Sequence, residues 1–177
     1  MTFWINLLGY QSVWFLLVRG AAHAQLALPL LAGAAFVLGQ LLATQHTSLE
    51  ARLLVAALLM GLFVDGVAAS TGWLHYASPQ PAWPSQGAPL WILMLWACFA
   101  TTITRSLSVL RSRPWLAALA GGIGAPLAYL AAAHGWGAVQ VSYWPGLSWI
   151  AACWALALPL LGALSRRDAP RDEARRA

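Results

Sequence analysis

The chain has 177 residues and a mass of 19.0 kDa, one domain's worth; 60% of its residues are hydrophobic and only 8% charged, with a mean hydropathy of +0.67. An average soluble chain is about 25% charged, so this composition excludes a soluble enzyme, a disordered tail and a disulfide scaffold, and describes an integral membrane protein. The net charge of +5 comes from ten arginines and no lysine, grouped between apolar runs and near the end of the chain. That placement sets membrane topology and touches anionic headgroups; no basic face with interleaved aromatics points to nucleic acid.

A hydrocarbon core of ~30 Å needs about 20 apolar residues in helical form. Six such runs follow in chain order, over 3–18, 25–43, 49–74, 89–110, 114–133 and 145–164. The expected fold is an all-α integral membrane protein, a compact bundle of six transmembrane helices with short loops and no soluble domain. The segment 165–177 is a basic tail outside it. Pro89, Pro114 and Pro145 suit helix starts; Pro29, Pro126 and Pro159 fall inside spans and predict kinks or ends.

In the first span, Ala22-His23-Ala24 resembles a leader-peptidase site. No basic residue precedes the run, Asn6 and Gln11 interrupt it and Arg19 follows it, so it is read as a retained span. With the N-terminus inside, nine arginines (52, 105, 111, 113, 166, 167, 171, 175 and 176) face the cytoplasm and only Arg19 faces away. Both termini are therefore expected to be cytoplasmic.

The third span carries Asp65, about 22 Å from its cytoplasmic end at 1.5 Å per residue. A carboxylate in lipid is expensive; one reading makes it a proton acceptor or substrate contact, the other a hydrogen bond between helices, with Tyr129 at similar depth as partner. Beyond this span, Trp73, Tyr76, Trp83, Trp91, Trp136, Tyr143 and Trp144 lie at the non-cytoplasmic ends, as an interfacial belt would. The loop ASPQPAWPSQGAP favours an extended path, with Trp83 either in the belt or a lid.

The fourth span has a stripe at three- and four-residue spacing: Cys98, Thr101, Thr102, Arg105 and Ser108. Arg105 either snorkels to headgroups or contacts an anion within the bundle beside Asn6, Gln11 and Gln40. Its depth differs from that of Asp65 by roughly 13 Å, so no direct pair is expected. Asn6, Gln11, Gln40, Asp65, Thr101, Thr102, Arg105 and Tyr129 make up the expected polar pocket, with Trp83, Trp91 and Trp96 as belt or lid.

In the fifth span, Gly121, Gly122 and Gly124 before Pro126 predict close helix packing with a kink, not a phosphate loop. His23, His75 and His134 lie at one level but lack ligand spacing, so no metal site and no cofactor is expected. Cys98 and Cys153 sit in apolar runs and read as packing. Motifs of hydrolases, metalloproteases and redox enzymes are absent from the sequence, as is any defensible internal repeat.

The segments NLLGYQSVWF, FVDGVAASTGWLHY, PLWILMLWACFATTITRSL and GAPLAY, in that order, resemble a bacterial inner-membrane family known only as a domain of unknown function. The resemblance covers roughly residues 3–164. It implies company with lipid-modifying proteins resembling cyclopropane-fatty-acid synthase, and it marks Asn6, Gln11, Asp65, Trp91 and Trp96. Where Arg105 stands the family more often has histidine, so general acid–base chemistry does not carry over to it.

Three functions follow as expectations. The first is a lipid-handling or accessory subunit in the bacterial inner membrane, with membrane lipids and a lipid-modifying enzyme as partners. The second is a small proton-coupled transporter using Asp65. The third is an intramembrane enzyme acting on lipid or isoprenoid.

Overall fold

The structure is a computed structural model that describes residues 2–166; the basic segment 167–177 lies outside the described residues. Six α-helices account for most of it: α1 (Thr2–Ala22), α2 (Ala27–Leu42), α3 (Thr47–Ser70), α4 (Leu90–Ala100), α5 (Pro114–Trp136) and α6 (Ser148–Leu164). They run alternately between two ends of the molecule. One end carries Arg105, Arg111 and Arg113, the other four short strands. By length and composition three stretches can cross a membrane: α3, α5, and Tyr143–Leu164, which contains α6; α2 and α4 are apolar but shorter.

The strands correct the all-helical expectation. β1 (Leu74–Tyr76) pairs antiparallel with β4 (Val139–Val141), and β2 (Ala82–Trp83) with β3 (Ala88–Pro89). The third helix stops at Ser70, short of the predicted 74, because Ser70 and Thr71 both turn their hydroxyls onto the Val67 carbonyl. Gly72, at φ +71°, then reverses the chain into β1. The Pro-rich loop is a small hairpin, with Ala82 opposite Pro89, and not an extended spacer.

The fourth helix also departs from expectation. It ends at Ala100, and residues 101–112 continue in tight three-residue turns, the last of them a 3-10 segment (Ser108–Ser112). Thr101 donates to the Cys98 carbonyl at 2.8 Å and Thr102 to that of Phe99 at 2.6 Å, displacing the α-helical pattern. The predicted stripe from Cys98 to Ser108 therefore does not persist along one helical face.

Of the prolines, Pro29 lies in the first turn of α2, where its missing N–H costs nothing, while α5 and α6 continue through Pro126 and Pro159. Glycines set the helix spacing. A Cβ on Gly121 would run into the Trp154 carbonyl, and one on Gly122 would lie 3.3 Å from the Ala155 Cβ. These contacts hold α5 and α6 as one tight hairpin. The hairpin closes on the α1–α4 body only lightly at α1, and the cavity described next lies along that join.

Candidate functional site

The cavity, about 550 Å3, is bounded by α1, α4, α5 and α6. Its α5 wall is built from Gly121, Gly124, Ala125, Ala128 and Ala132 at three- and four-residue spacing, with the Tyr129 ring among these small residues. Large rings make up the opposite walls: Tyr10, Trp14 and Phe15 from α1, Trp91, Trp96 and Phe99 from α4, and Trp154 from α6. Small residues facing large ones leave the groove. Among the described residues no arginine, histidine or carboxylate lines it, and Gln11 contributes its one amide. At the strand end Trp136 closes the join edge-on against Trp14 and Phe15, with ring centroids 6.0 and 5.4 Å apart.

Asp65 stands behind this wall and is fully buried. Its Oδ1 accepts from the hydroxyls of Tyr76, at 2.7 Å, and Tyr129, while Oδ2 accepts from the Trp96 indole N–H at 2.7 Å. All three donors line the cavity; Asp65 does not. One carboxylate from α3 thus anchors β1, α4 and α5. The local sequence explains how. Gly61 precedes Asp65 by four residues, so both share a face of α3; a Cβ at Gly61 would be 2.5 Å from the Trp96 ring. Glycine admits the indole, and the aspartate one turn on takes its N–H. Trp154 stacks on the other side of that ring, at 4.1 Å and 20°.

Tyr76 lies outside the helices. Burial, and then the Asp65 carboxylate beside it, hold its hydroxyl well above the usual tyrosine range, so it remains a donor. With three donors converging on two oxygens, both carboxyl oxygens of Asp65 are occupied, and among the described residues no cation pairs with it.

A second polar cluster lies at the arginine end. Arg105 pairs with Glu50 at 3.0 Å and donates to the backbone carbonyls of Thr101 at 3.2 Å and Gln40 at 2.9 Å. Thr104 adds a hydroxyl to the same Glu50 oxygen. Asn6 donates to Gln40 and Thr101 and accepts from Ser106 at 2.7 Å. The cluster joins α1, α2, α3 and the turns after α4.

The eight expected pocket residues therefore separate. Asn6, Gln40, Thr101 and Arg105 form the arginine-end cluster, and Asp65 and Tyr129 belong to the other. Gln11 lies in the cavity wall, apart from Arg105, and Thr102 is spent on a local turn. Arg105, expected either to snorkel to headgroups or to contact an anion within the bundle, is paired here with the Glu50 carboxylate. Trp83 is 71% exposed on β2 and is not among the residues that line the cavity. Trp91 and Trp96 are buried core residues, not an interfacial belt; Trp91 donates to the Ser78 carbonyl at 3.1 Å. Among the described residues no three histidines, cysteines or carboxylates stand close enough to hold a metal, and the His134 ring lies 3.3 Å from the Tyr143 hydroxyl.

Sequence reasoning missed Glu50 and Tyr76. Glu50 sits at the edge of an apolar run, where a carboxylate near a helix N-terminus is ordinary. The signal for Tyr76 was the alternation in Leu74-His75-Tyr76, three residues and too brief to read as a strand.

Comparison with curated proteins and with solved structures returns no match in either set. A family model described as a protein of unknown function (DUF2878) matches residues 3–160, nearly the whole chain, and the chain belongs to that family.

Proposed function

We propose that this protein is a lipid-handling subunit of the bacterial inner membrane that holds a lipid chain between α1 and the α5–α6 hairpin, and that it supports lipid modification by a partner enzyme. All six helices cross the bilayer in this reading, with the arginine end and both termini in the cytoplasm. The observation that carries it is the cavity of about 550 Å3 with an uncharged wall, lined in part by α5 and α6, which lie in two of the three stretches long and apolar enough to cross a membrane. Ligand pockets of about 300–1,000 Å3 with mostly apolar walls and a few polar groups are the general rule.

The transporter reading gains less. Its coupling carboxylate, Asp65, lies behind the cavity wall with both oxygens occupied. Protein purified in mild detergent should carry lipid in stoichiometric amounts by mass spectrometry, and cells lacking the gene should have an altered acyl or headgroup profile. Purified protein without bound lipid, from cells whose lipids are unchanged by its loss, would refute the reading.

A further inference from the structure

Three polar groups in the cavity wall have no partner among the described residues. The Tyr10 hydroxyl and the Gln11 carboxamide, neighbours on α1, make no hydrogen bond there. The Trp154 indole N–H, from α6, finds no acceptor. Trp154 Nε1 is the one enclosed side-chain polar atom in that condition among the described residues, so the Tyr10 hydroxyl is not sealed off, and Gln11 is exposed. The Phe99 ring meets both Tyr10 and Trp154, with centroids 6.0 and 4.9 Å away, so α1 and α6 bring these groups to one level of the cavity.

With all six helices crossing the bilayer, that level is mid-depth. Gln11 stands roughly 14 Å from Thr2 and roughly 16 Å from Ala22 along α1, and Trp154 about 15 Å from Leu164 along α6, at 1.5 Å per residue. In a ~30 Å hydrocarbon core the ester carbonyls and headgroups of ordinary lipids lie about 15 Å away in either direction. The hydrocarbon holds no water to replace them, and an unpaired polar group there is costly. A plain acyl chain passes this level as methylenes, which accept no hydrogen bond.

An acceptor is what the wall lacks. An indole N–H only donates, a tyrosine hydroxyl donates, and a carboxamide does both. The lining continues past this level both ways, to Leu107, Leu110 and Leu158 toward the arginine end and to Val18, Trp136 and Val139 toward the strands. The matching oxygen therefore sits inside a hydrocarbon body and not at its end.

We infer that the cavity selects a lipid whose acyl chain bears a keto or hydroxyl oxygen near its middle, held by Tyr10, Gln11 and Trp154. This rests on the lipid-handling reading and adds where along its chain the ligand is oxygenated.

The probes are methyl esters of octadecanoate, plain and with a mid-chain keto group. They compete for the full chain in detergent against a brominated octadecanoate methyl ester, which quenches the five tryptophans lining the cavity. Tyr10→Phe removes a hydroxyl and keeps the ring; Gln11→Leu puts a good helix former at an exposed helical position. Comparing the two half-points as a ratio, in the same micelles for parent and variant, cancels partitioning into detergent.

The keto ester should compete at a half-point about tenfold lower than the plain ester. Tyr10→Phe with Gln11→Leu should bring the ratio to about one, with the plain ester's own half-point within about twofold of the parent's, and Trp154→Phe alone should lower the ratio about threefold. Equal half-points in the parent would overturn the chain oxygen and leave lipid handling standing. A keto preference that survives in the double variant would overturn the location, and an unchanged ratio in Trp154→Phe would remove the indole from it. A prenylquinone competing about tenfold better than the keto ester would move the carbonyl from a chain to a ring and overturn the acyl assignment. No saturable quenching and no competition by either ester, in protein with an intact helical circular-dichroism spectrum, would remove the inference and the lipid-handling reading together.

Discussion

The two polar clusters hold this bundle by opposite means. At the arginine end, Glu50 and Arg105 neutralise each other, and amides and hydroxyls absorb what remains. Toward the strand end, the Asp65 carboxyl group rests on three neutral donors, each carried by a cavity wall, with no cation paired to it among the described residues. An ion pair can be replaced by apolar groups at little cost, because both charges leave together. A carboxyl group held by three donors cannot be simplified that way: removing it orphans all three. The first cluster is a staple between helix ends, and the second is a frame on which the cavity is built.

Asp65→Ala should therefore have the largest effect. It leaves two tyrosine hydroxyls and an indole N–H without their acceptor, at roughly 1–3 kcal/mol for each buried group that finds no other. Unfolding in mixed micelles should show a loss of several kcal/mol, together with less lipid retained through purification. A loss under about 1 kcal/mol would show that the donors re-pair among themselves and that the frame is not Asp65.

Next in size is Glu50→Ala, which strips the partner from an arginine whose side chain is 14% exposed. Breaking a fully buried pair costs about 3–5 kcal/mol, and the remaining exposure with the two backbone carbonyls reduces this to about 1–3 kcal/mol. Removing both charges, as in Glu50→Met with Arg105→Met, should recover most of the loss. Neither variant should change the amount of lipid retained through purification by more than about twofold, because the staple lies outside the cavity wall. If Glu50→Ala abolished lipid retention, the division between staple and frame would fail.

Gly61→Val tests the frame by geometry, leaving charge untouched. The added atoms would overlap the Trp96 ring and push its N–H away from Asp65, an overpacking cost of typically 1–3 kcal/mol. Tryptophan emission should shift with it. An unchanged spectrum and stability would mean that α3 and α4 separate freely at this crossing.

Parts of this design can be read in the sequence and parts cannot, for reasons of range. Helix placement follows from long apolar runs, and Asp65 stands out because a carboxylate in such a run is rare. Tyr129 is legible as its partner by depth alone. Trp96 is not, since its indole reaches Asp65 through the gap left by Gly61, and a Gly–Asp pair four apart looks like any small-residue face. Tyr76 reads as a belt residue because it follows a span; the turn at Gly72 and pairing with β4, some 65 residues on, bring its ring back inside. The end of α4 is hidden for a related reason. Thr101 and Thr102 are tolerable helix residues, and what stops the helix is the coincidence of their hydroxyls with Asn6 and Arg105 on the Thr101 carbonyl. Those are tertiary events, which local pattern does not encode.

The smallest expected effect bears on the mouth of the cavity. Trp83 has the position and bulk of a lid in the sequence, yet its ring projects from the β2–β3 hairpin, and no cavity-lining contact depends on it. Trp83→Ala should change stability by no more than about 0.5 kcal/mol, as for other exposed sites. The lipid it retains through purification should match that of the parent protein in amount and kind. A loss of retained lipid in the variant would show that the hairpin folds over the bound lipid, and Trp83 would then belong to the cavity despite its exposure.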